Sequence, residues 1–207
     1  MNLFLRRGLG QLVLLALVVV TVGCESPPQL KLLPPEAVIV AFGDSLTRGT
    51  GAGKGESYPE VLGQLLRRKV INAGIPGEVS AKGLDRLPGV LERYQPNLVI
   101  LCHGGNDFLR RLDRDRTIAN IQAMVSMIRE RGSDVILVGV PQPGFFLEPP
   151  EFYRDIALSH QVPYEGEIVS ALLNDDQLKS DTIHPNAQGY RLMAKAIHNL
   201  IQDSKGI

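Results

Sequence analysis

The stretch that decides the fold is VIVAFGDSL, residues 38–46. Its first part, residues 38–42, is an uninterrupted apolar run, which is typical of a strand buried on both faces of a parallel sheet. The run passes directly into Gly43, Asp44 and Ser45. A serine there can project its hydroxyl from a tight turn into the crevice beyond the carboxyl end of the strand, where open α/β sheets bind ligands. The stretch therefore predicts a first strand and a candidate nucleophile, although Ser45 could instead only cap a following helix.

Short β-branched runs alternate with longer segments of helical spacing along the rest of the chain. Strands are expected at residues 37–42, 69–72, 97–103 and 134–139, with a weaker one at 161–164. Amphipathic helices are expected at residues 58–68, 80–94, 117–131, 150–160 and 186–202. This alternation predicts the α/β class, with a five-stranded parallel sheet in a three-layer α/β/α sandwich.

Composition narrows the function classes. The chain has 207 residues, 22 basic and 22 acidic side chains, and 44% hydrophobic residues, which indicates a folded domain without a broad electrostatic field. Nucleic acid is therefore not an expected partner. Two cysteines exclude a disulfide framework, and their spacing is not that of a structural zinc site. No metal or other cofactor is expected, and Cys102, inside an apolar run, is interpreted as a small buried hydrophobe.

The N-terminus has the layout of an export signal. Arg6 and Arg7 precede an apolar stretch at residues 12–20 that is too short for a permanent membrane span, so residues 1–23 are predicted to be a signal peptide. Gly23-Cys24 resembles the lipobox of bacterial lipoproteins, which implies a lipid anchor on Cys24 at the periplasmic face of the outer membrane. An ordinary secreted protein cut nearby is the alternative.

Prolines set the predicted domain boundary. Residues 24–36 contain four of them, which disfavours a helix or a central strand, so this segment is predicted to be a tether before a domain at 37–207.

A second polar motif, Asp181-Thr182-Ile183-His184-Pro185, precedes the last predicted helix. On one turn, the carboxylate of Asp181 could accept a hydrogen bond from one imidazole nitrogen of His184 while the other nitrogen faces a serine. The alternative is that Asp181 caps the helix and His184 is a surface residue. The presence of Ser45 as a candidate nucleophile favours the catalytic interpretation of this pair.

Two further motifs follow predicted strands. Gly104-Gly105-Asn106-Asp107 brings a side-chain amide to a strand end, where it can donate a hydrogen bond to a developing oxyanion. Asn72-Ala73-Gly74 follows the second strand, and the N–H of Gly74 could be a further donor. Either motif could be only a turn.

In chain order, these four segments resemble the signature blocks of the GDSL/SGNH hydrolases, and particularly their bacterial esterase, thioesterase and lysophospholipase subgroup. The resemblance implies a flavodoxin-like fold and a serine hydrolase that acts on ester bonds. By matching positions, Ser45 would be the nucleophile and first oxyanion donor, with Gly74 and Asn106 as the other donors. His184 would be the base and Asp181 its partner. The implied partner is a small-molecule ester, and a monomer is expected.

The resemblance leaves the substrate open. The loop at residues 141–146 is short and proline-rich for this subgroup, which puts chain-length preference in doubt. Phe145 and Phe146 are predicted to wall an acyl or aryl pocket, with core packing as the alternative. The first functional hypothesis is an esterase for acyl or aryl esters, including thioesters and lysophospholipids. A carbohydrate O-acetyl esterase and a non-catalytic lipid- or glycan-binding lipoprotein are the two alternatives.

A glycine-rich segment at residues 49–55 looks like a phosphate loop, but its spacing fits neither the phosphate-loop nor the dinucleotide pattern. It is interpreted as a flexible loop near the mouth of the crevice.

Overall fold

A computed structural model describes residues 28–144 and 147–207. Within them, a single parallel sheet is formed by β1 (Val38–Gly43), β2 (Lys69–Gly74), β3 (Leu98–Cys102), β4 (Asp134–Val138) and β5 (Tyr164–Glu165). The spatial order is β2-β1-β3-β4-β5. The predicted five-stranded parallel sheet is therefore confirmed.

Eight helices cover the sheet in the described part of the chain. They are α1 (Ser45–Arg48), α2 (Tyr58–Leu66), α3 (Ser80–Tyr94), α4 (Gly105–Leu109), α5 (Arg114–Glu130), α6 (Phe152–Ser159), α7 (Ile168–Asn174) and α8 (Ala187–Asp203). Helix α2 packs against α8, and α3 packs against α5, as expected for the two helical layers of an α/β/α sandwich.

Central position in the sheet explains the long apolar runs. Every residue of β3 is buried, because the strand lies between β1 and β4 and both of its faces are covered. Cys102, the last residue of β3, is fully buried, which confirms its interpretation as a small core residue. Strand β2 lies at the sheet edge and is partly exposed.

The helices differ from the predictions in two ways: one begins earlier, and three short ones were not predicted. Helix α5 begins at Arg114 rather than at the predicted Thr117, because the Asp113 side chain accepts a hydrogen bond from the Arg116 N–H and caps the helix. The short helices α1, α4 and α7 were not predicted, because a helix of 4 to 7 residues shows too little periodicity.

The predicted tether at residues 24–36 is wrong for its described part. Leu30 and Leu33 are buried in the core cluster, and their N–H groups donate to the carbonyls of Ser204 and Gly206, both at 2.8 Å. The Arg68 guanidinium donates to the Leu33 carbonyl at 2.8 Å. The prolines exclude a helix, but they do not prevent an extended segment from docking on the end of α8.

The docked segment and the polar motifs lie at opposite ends of the sheet. The Lys31 N–H donates to the Asp134 side chain, at the amino end of β4. At the other end, Gly43 pairs with both Gly74 and Cys102, so β1, β2 and β3 end at one level. The polar motifs that follow these strands therefore meet at one edge.

The predicted signal peptide, Cys24, Phe145 and Phe146 lie outside the described residues. None of the described helices is long and apolar enough to span a membrane.

Candidate active site

The turn after β1 presents Ser45 at the carboxyl edge of the sheet. Asp44 caps α1 by accepting a hydrogen bond from the Leu46 N–H at 3.0 Å, and Ser45 is the first residue of the helix. A side chain at Gly43 would collide with the Cys102 carbonyl, so only glycine lets the turn come this close to β3. Since Asp44 is the cap, Ser45 is free of the capping role that was its alternative.

His184 reaches Ser45 across 139 residues of sequence. Its Nε2 lies 3.0 Å from Ser45 Oγ. Its Nδ1 lies 2.8 Å from Asp181 Oδ2 and 3.0 Å from Oδ1. The three predicted side chains therefore form one hydrogen-bonded line, in which the carboxylate fixes the imidazole and the imidazole faces the hydroxyl.

The loop before α8 holds the acid and the imidazole together. Asp181 Oδ1 also accepts hydrogen bonds from the N–H groups of Ile183 and His184, at 2.8 and 2.9 Å. The cap of α8 is Asn186 rather than Asp181, so the alternative of a simple helix cap does not hold. Burial by itself would raise the pKa of the Asp181 carboxyl, but hydrogen bonds from His184 and Ile183 outweigh it and hold the pKa below its usual value.

Asn106 brings its side-chain amide to the same edge of the sheet from α4, the short helix that follows β3. Helix α4 begins at Gly105, and Asn106 Nδ2 donates to Asp44 Oδ2 at 3.0 Å and to the Glu78 carbonyl at 3.1 Å. Asp44 is buried, and this burial raises its pKa, offset only in part by His103, the Leu46 N–H and Asn106. Asp44 thus ties the nucleophile turn to the amide, a role that sequence reasoning missed.

The family model for GDSL-like lipases and acylhydrolases matches residues 41–192, which include all of these side chains. The chain belongs to this family. The hydrolase is 32% identical to an arylesterase of Vibrio mimicus over 173 residues, which cover 77% of this chain and 85% of the relative. It is 26% identical to the thioesterase 1/protease 1/lysophospholipase L1 of Escherichia coli (strain K12) over 164 residues, 75% and 79% of the two chains.

Among solved structures, the SGNH-hydrolase family esterase AlinE4 superposes with a TM-score of 0.63 at 30% identity, covering 82% of this chain and 96% of that one. The hydrolase is therefore an enzyme that cleaves ester bonds, and its resemblance to the GDSL/SGNH family is confirmed.

Gly74 does not have the geometry that its predicted role requires. Its N–H donates to Asn72 Oδ1 at 3.0 Å, two residues earlier at the end of β2. Its Cα packs against the backbone of α1, where a side chain would collide with Arg48. In the hydrolase this glycine permits close packing, and its N–H is committed to Asn72 rather than directed to a ligand.

The next turn, at residues 75–78, stands beside Asn106. The Glu78 N–H donates to the Ile75 carbonyl at 3.1 Å, and Gly77 has a φ of 76°, which favours glycine. The Glu78 carbonyl is the one that accepts the Asn106 amide. The dipeptide Pro76-Gly77 is a strong turn signal that could have drawn attention to this segment.

A crevice of about 300 Å³ opens beside Ser45 and His184. Eight apolar side chains contribute to its wall: Leu46, Leu109, Val140, Pro141, Pro143, Leu147, Leu173 and Ile183. Gly144 and Leu147, which flank Phe145 and Phe146, also line it. The pocket role of the two phenylalanines stays a prediction.

Two amides of the glycine-rich segment at residues 49–55 already donate to carboxylates of the chain. The N–H of Gly53 donates to Glu56, and the N–H of Gly55 donates to Glu60. These carboxylates occupy donors that a phosphate loop would need, in agreement with the rejection of that motif.

Proposed function

We propose that the hydrolase cleaves small acyl or aryl esters through a covalent acyl-enzyme on Ser45. The observation that carries the proposal is the continuous hydrogen-bonded line from Asp181 through His184 to Ser45 Oγ. Such a line supplies a nucleophile, a base within reach of its proton and a carboxylate that orients the base.

In the proposed reaction, Ser45 Oγ attacks the ester carbonyl carbon while its proton passes to His184 Nε2. The carbonyl oxygen becomes an oxyanion. Collapse of the tetrahedral intermediate breaks the bond to the leaving alcohol, which takes the proton from His184. Water then attacks the acyl-enzyme with His184 as base, and release of the carboxylic acid restores Ser45. Asp181 stays ionised throughout and stabilises the imidazolium.

The oxyanion is assigned to the Ser45 N–H, the Asn106 amide and a donor from the turn at residues 75–78. The contact between the Glu78 carbonyl and Asn106 supports Gly77, one residue earlier, as the source of the third N–H in place of Gly74. Both amide hydrogens of Asn106 already have acceptors, so the oxyanion would share one of them in a three-centre hydrogen bond.

The crevice supports the substrate class. Its volume of about 300 Å³ lies at the lower end of the range for small-molecule pockets, which suits one acyl or aryl group rather than a whole lipid. The apolar wall favours a hydrocarbon acyl or aryl group over the bare acetyl group of an O-acetylated sugar.

The test is a panel of p-nitrophenyl esters and thioesters of increasing chain length, with Ser45→Ala as the inactive control. A fluorophosphonate probe should add covalently to the native protein and not to Ser45→Ala. Hydrolysis restricted to acetate would favour the carbohydrate alternative instead. Absence of a Ser45 adduct would overturn the mechanism.

We also propose that the hydrolase is exported and carries lipid on Cys24, on the bacterial lipobox pattern. The described segment from residue 28 meets the domain at the amino end of the sheet, opposite the crevice, so an anchored molecule would turn its crevice away from the lipid. Incorporation of labelled palmitate into the native protein, and its loss in Cys24→Ala, tests the anchor. Equal labelling of both would refute it.

A further inference from the structure

A largely buried polar cluster outside the proposed catalytic line includes the last residue of the turn at residues 75–78. It contains Glu78, Arg86 of α3 and His103, which follows β3. Arg86 Nε donates to Glu78 Oε1 at 2.8 Å, and Arg86 Nη2 donates to Oε2 at 2.6 Å. The side chains of Glu78 and His103 are 6% and 0% exposed and that of Arg86 is 22% exposed, so water screens these contacts only in part.

The histidine in this cluster contacts the Glu78 carboxylate through Nε2. The Gly104 N–H donates to His103 Nδ1 at 3.1 Å, so Nδ1 is an acceptor and the ring hydrogen is on Nε2. Nε2 lies 3.2 Å from Glu78 Oε2 and donates to it. A side chain at Gly83 would collide with this ring, which explains the glycine on the facing turn of α3.

Arg86 joins the ends of two strands to this carboxylate. Its Nη2 donates to the Ala73 carbonyl at 3.0 Å and lies 3.5 Å from the Gly43 carbonyl. Its guanidinium stands over the Phe42 ring, 4.1 Å from the centroid. One side chain therefore fixes the ends of β1 and β2 relative to Glu78.

Glu78 connects Arg86 to Asn106, the proposed oxyanion donor. Its side chain is held by Arg86 and His103, while its main-chain carbonyl accepts the Asn106 amide at 3.1 Å. Burial alone would raise the pKa of Glu78, but the hydrogen bonds from His103 and Arg86 outweigh it and hold the pKa below its usual value. The carboxylate is thus charged at neutral pH, and its bidentate pair with Arg86 is rigid.

We infer that Arg86 is a positioning residue for ester hydrolysis: through Glu78 it holds the Asn106 amide where the oxyanion forms. The inference rests on the proposed function, because it needs the oxyanion that Ser45 attack creates. Oxyanion donors are effective because they are already in place when charge develops. A displacement of about 1 Å from a distant change can cost about 100-fold in rate.

The first test is Arg86→Lys. Lysine keeps the positive charge but cannot reproduce the fork that spans Glu78 and the Ala73 carbonyl. We expect kcat per active site to fall at least about 10-fold with little change in KM, because the lost interaction acts mainly in the transition state. Titration with a fluorophosphonate counts active sites, so an unfolded fraction does not enter the result.

Arg93→Lys is the matched control. Arg93 lies on the same helix, is exposed, and also stands over an aromatic ring, 5.2 Å from the Tyr94 centroid. Its replacement should leave kcat unchanged. An equal loss in both variants would mean that any change of arginine on α3 disturbs the enzyme, and would overturn the positioning role.

The second test asks whether Arg86 acts through Asn106. In an Asn106→Ala background, measured with an activated aryl ester, Arg86→Lys should change kcat less than about 3-fold, because the group that Arg86 positions is gone. The same fold-loss in both backgrounds would indicate a merely structural role. Glu78→Gln keeps the main-chain carbonyl and the shape, and it should show the same coupling if Arg86→Lys does not fold.

Failure of this inference differs from failure of the proposed function. A native protein that hydrolyses no ester and takes up no fluorophosphonate contradicts the proposed function itself. An active native protein whose Arg86→Lys and Glu78→Gln variants keep full kcat overturns only the positioning role.

Discussion

Asp181 Oδ1 accepts the main-chain N–H of His184 at 2.9 Å while Asp181 Oδ2 lies 2.8 Å from Nδ1 of the same histidine. One carboxylate therefore fixes both the backbone and the ring of the residue that faces Ser45. The two residues are separated by only two positions in sequence, so the loop is compact, and the Asp181 side chain is half exposed. The acid can orient the base without being buried.

Asp181→Asn should lower kcat by at least about 100-fold. If the asparagine oxygen keeps the two main-chain hydrogen bonds, its amide nitrogen faces His184 Nδ1 and leaves the ring hydrogen on Nε2. That tautomer cannot accept the Ser45 proton. Steady-state kinetics on a p-nitrophenyl ester measures the loss.

Asp176→Asn is the control for Asp181→Asn, since Asp176 lies in the same loop region and pairs with Lys179 at 2.7 Å, away from the imidazole. It should retain native kcat. Native activity in Asp181→Asn would mean that the carboxylate does not orient the base.

Asn106→Ala should lower kcat by about 10² to 10³-fold, the usual cost of one oxyanion donor. It also leaves the buried Asp44 carboxylate and the Glu78 carbonyl without this donor, so the free energy of unfolding should fall by about 1 to 3 kcal/mol. Kinetics per fluorophosphonate-labelled site and urea unfolding separate the two effects. Asn120→Ala, which removes a hydrogen bond from α5 to Ser80 Oγ on α3 and leaves Asn106 in place, should affect stability alone.

The sequence predicted best those catalytic side chains that stand directly at the end of a strand or the start of a helix, because the topology of the sheet then fixes where they lie. Ser45 follows a buried strand and His184 precedes a helix, so parallel topology brings them to one edge. Gly74 was harder, because it ends β2 while Gly77 follows three residues later, and the backbone course of the turn at residues 75–78 is not encoded in a local pattern. The Arg86 contacts depend on side-chain directions from three elements, which no local pattern encodes.

Two carboxylates of the site should affect stability with opposite pH dependence. The pKa of Asp44 is raised mainly by burial, so its protonation favours the folded state, and this stability is lost as pH rises through the folded pKa. The pKa of Asp181 is lowered, so its ionised form contributes stability that is present above about pH 3.9 and lost as pH falls further.

Urea unfolding of the native protein, Asp44→Asn and Asp181→Asn between pH 7 and pH 3 measures this difference. As pH falls, the native protein should gain stability relative to Asp44→Asn and lose it relative to Asp181→Asn. Loss relative to Asp44→Asn would mean that the hydrogen bonds from Leu46 and Asn106 outweigh the burial of Asp44.

If the segment at residues 28–36 is docked on the domain, replacing its buried leucine should destabilise the fold, whereas the same change in a free tether would not. Leu33 is 3% exposed and belongs to the core cluster, whereas its neighbour Leu32 is 74% exposed. Leu33→Ala should lower the free energy of unfolding by about 2 kcal/mol, at the lower end for a buried leucine because the site lies at the rim of the core. Leu32→Ala should change it by less than about 0.5 kcal/mol.

Neither leucine variant should alter kcat, because the segment lies at the amino end of the sheet and Ser45 lies at the carboxyl end. Thermal and urea unfolding of the two variants, with kinetics on the same samples, makes the comparison. Equal and small effects of both substitutions would mean that the segment is undocked in solution, and the domain would then begin near residue 37, as the prolines alone suggest. A large effect confined to Leu33 would place its start at or before residue 30.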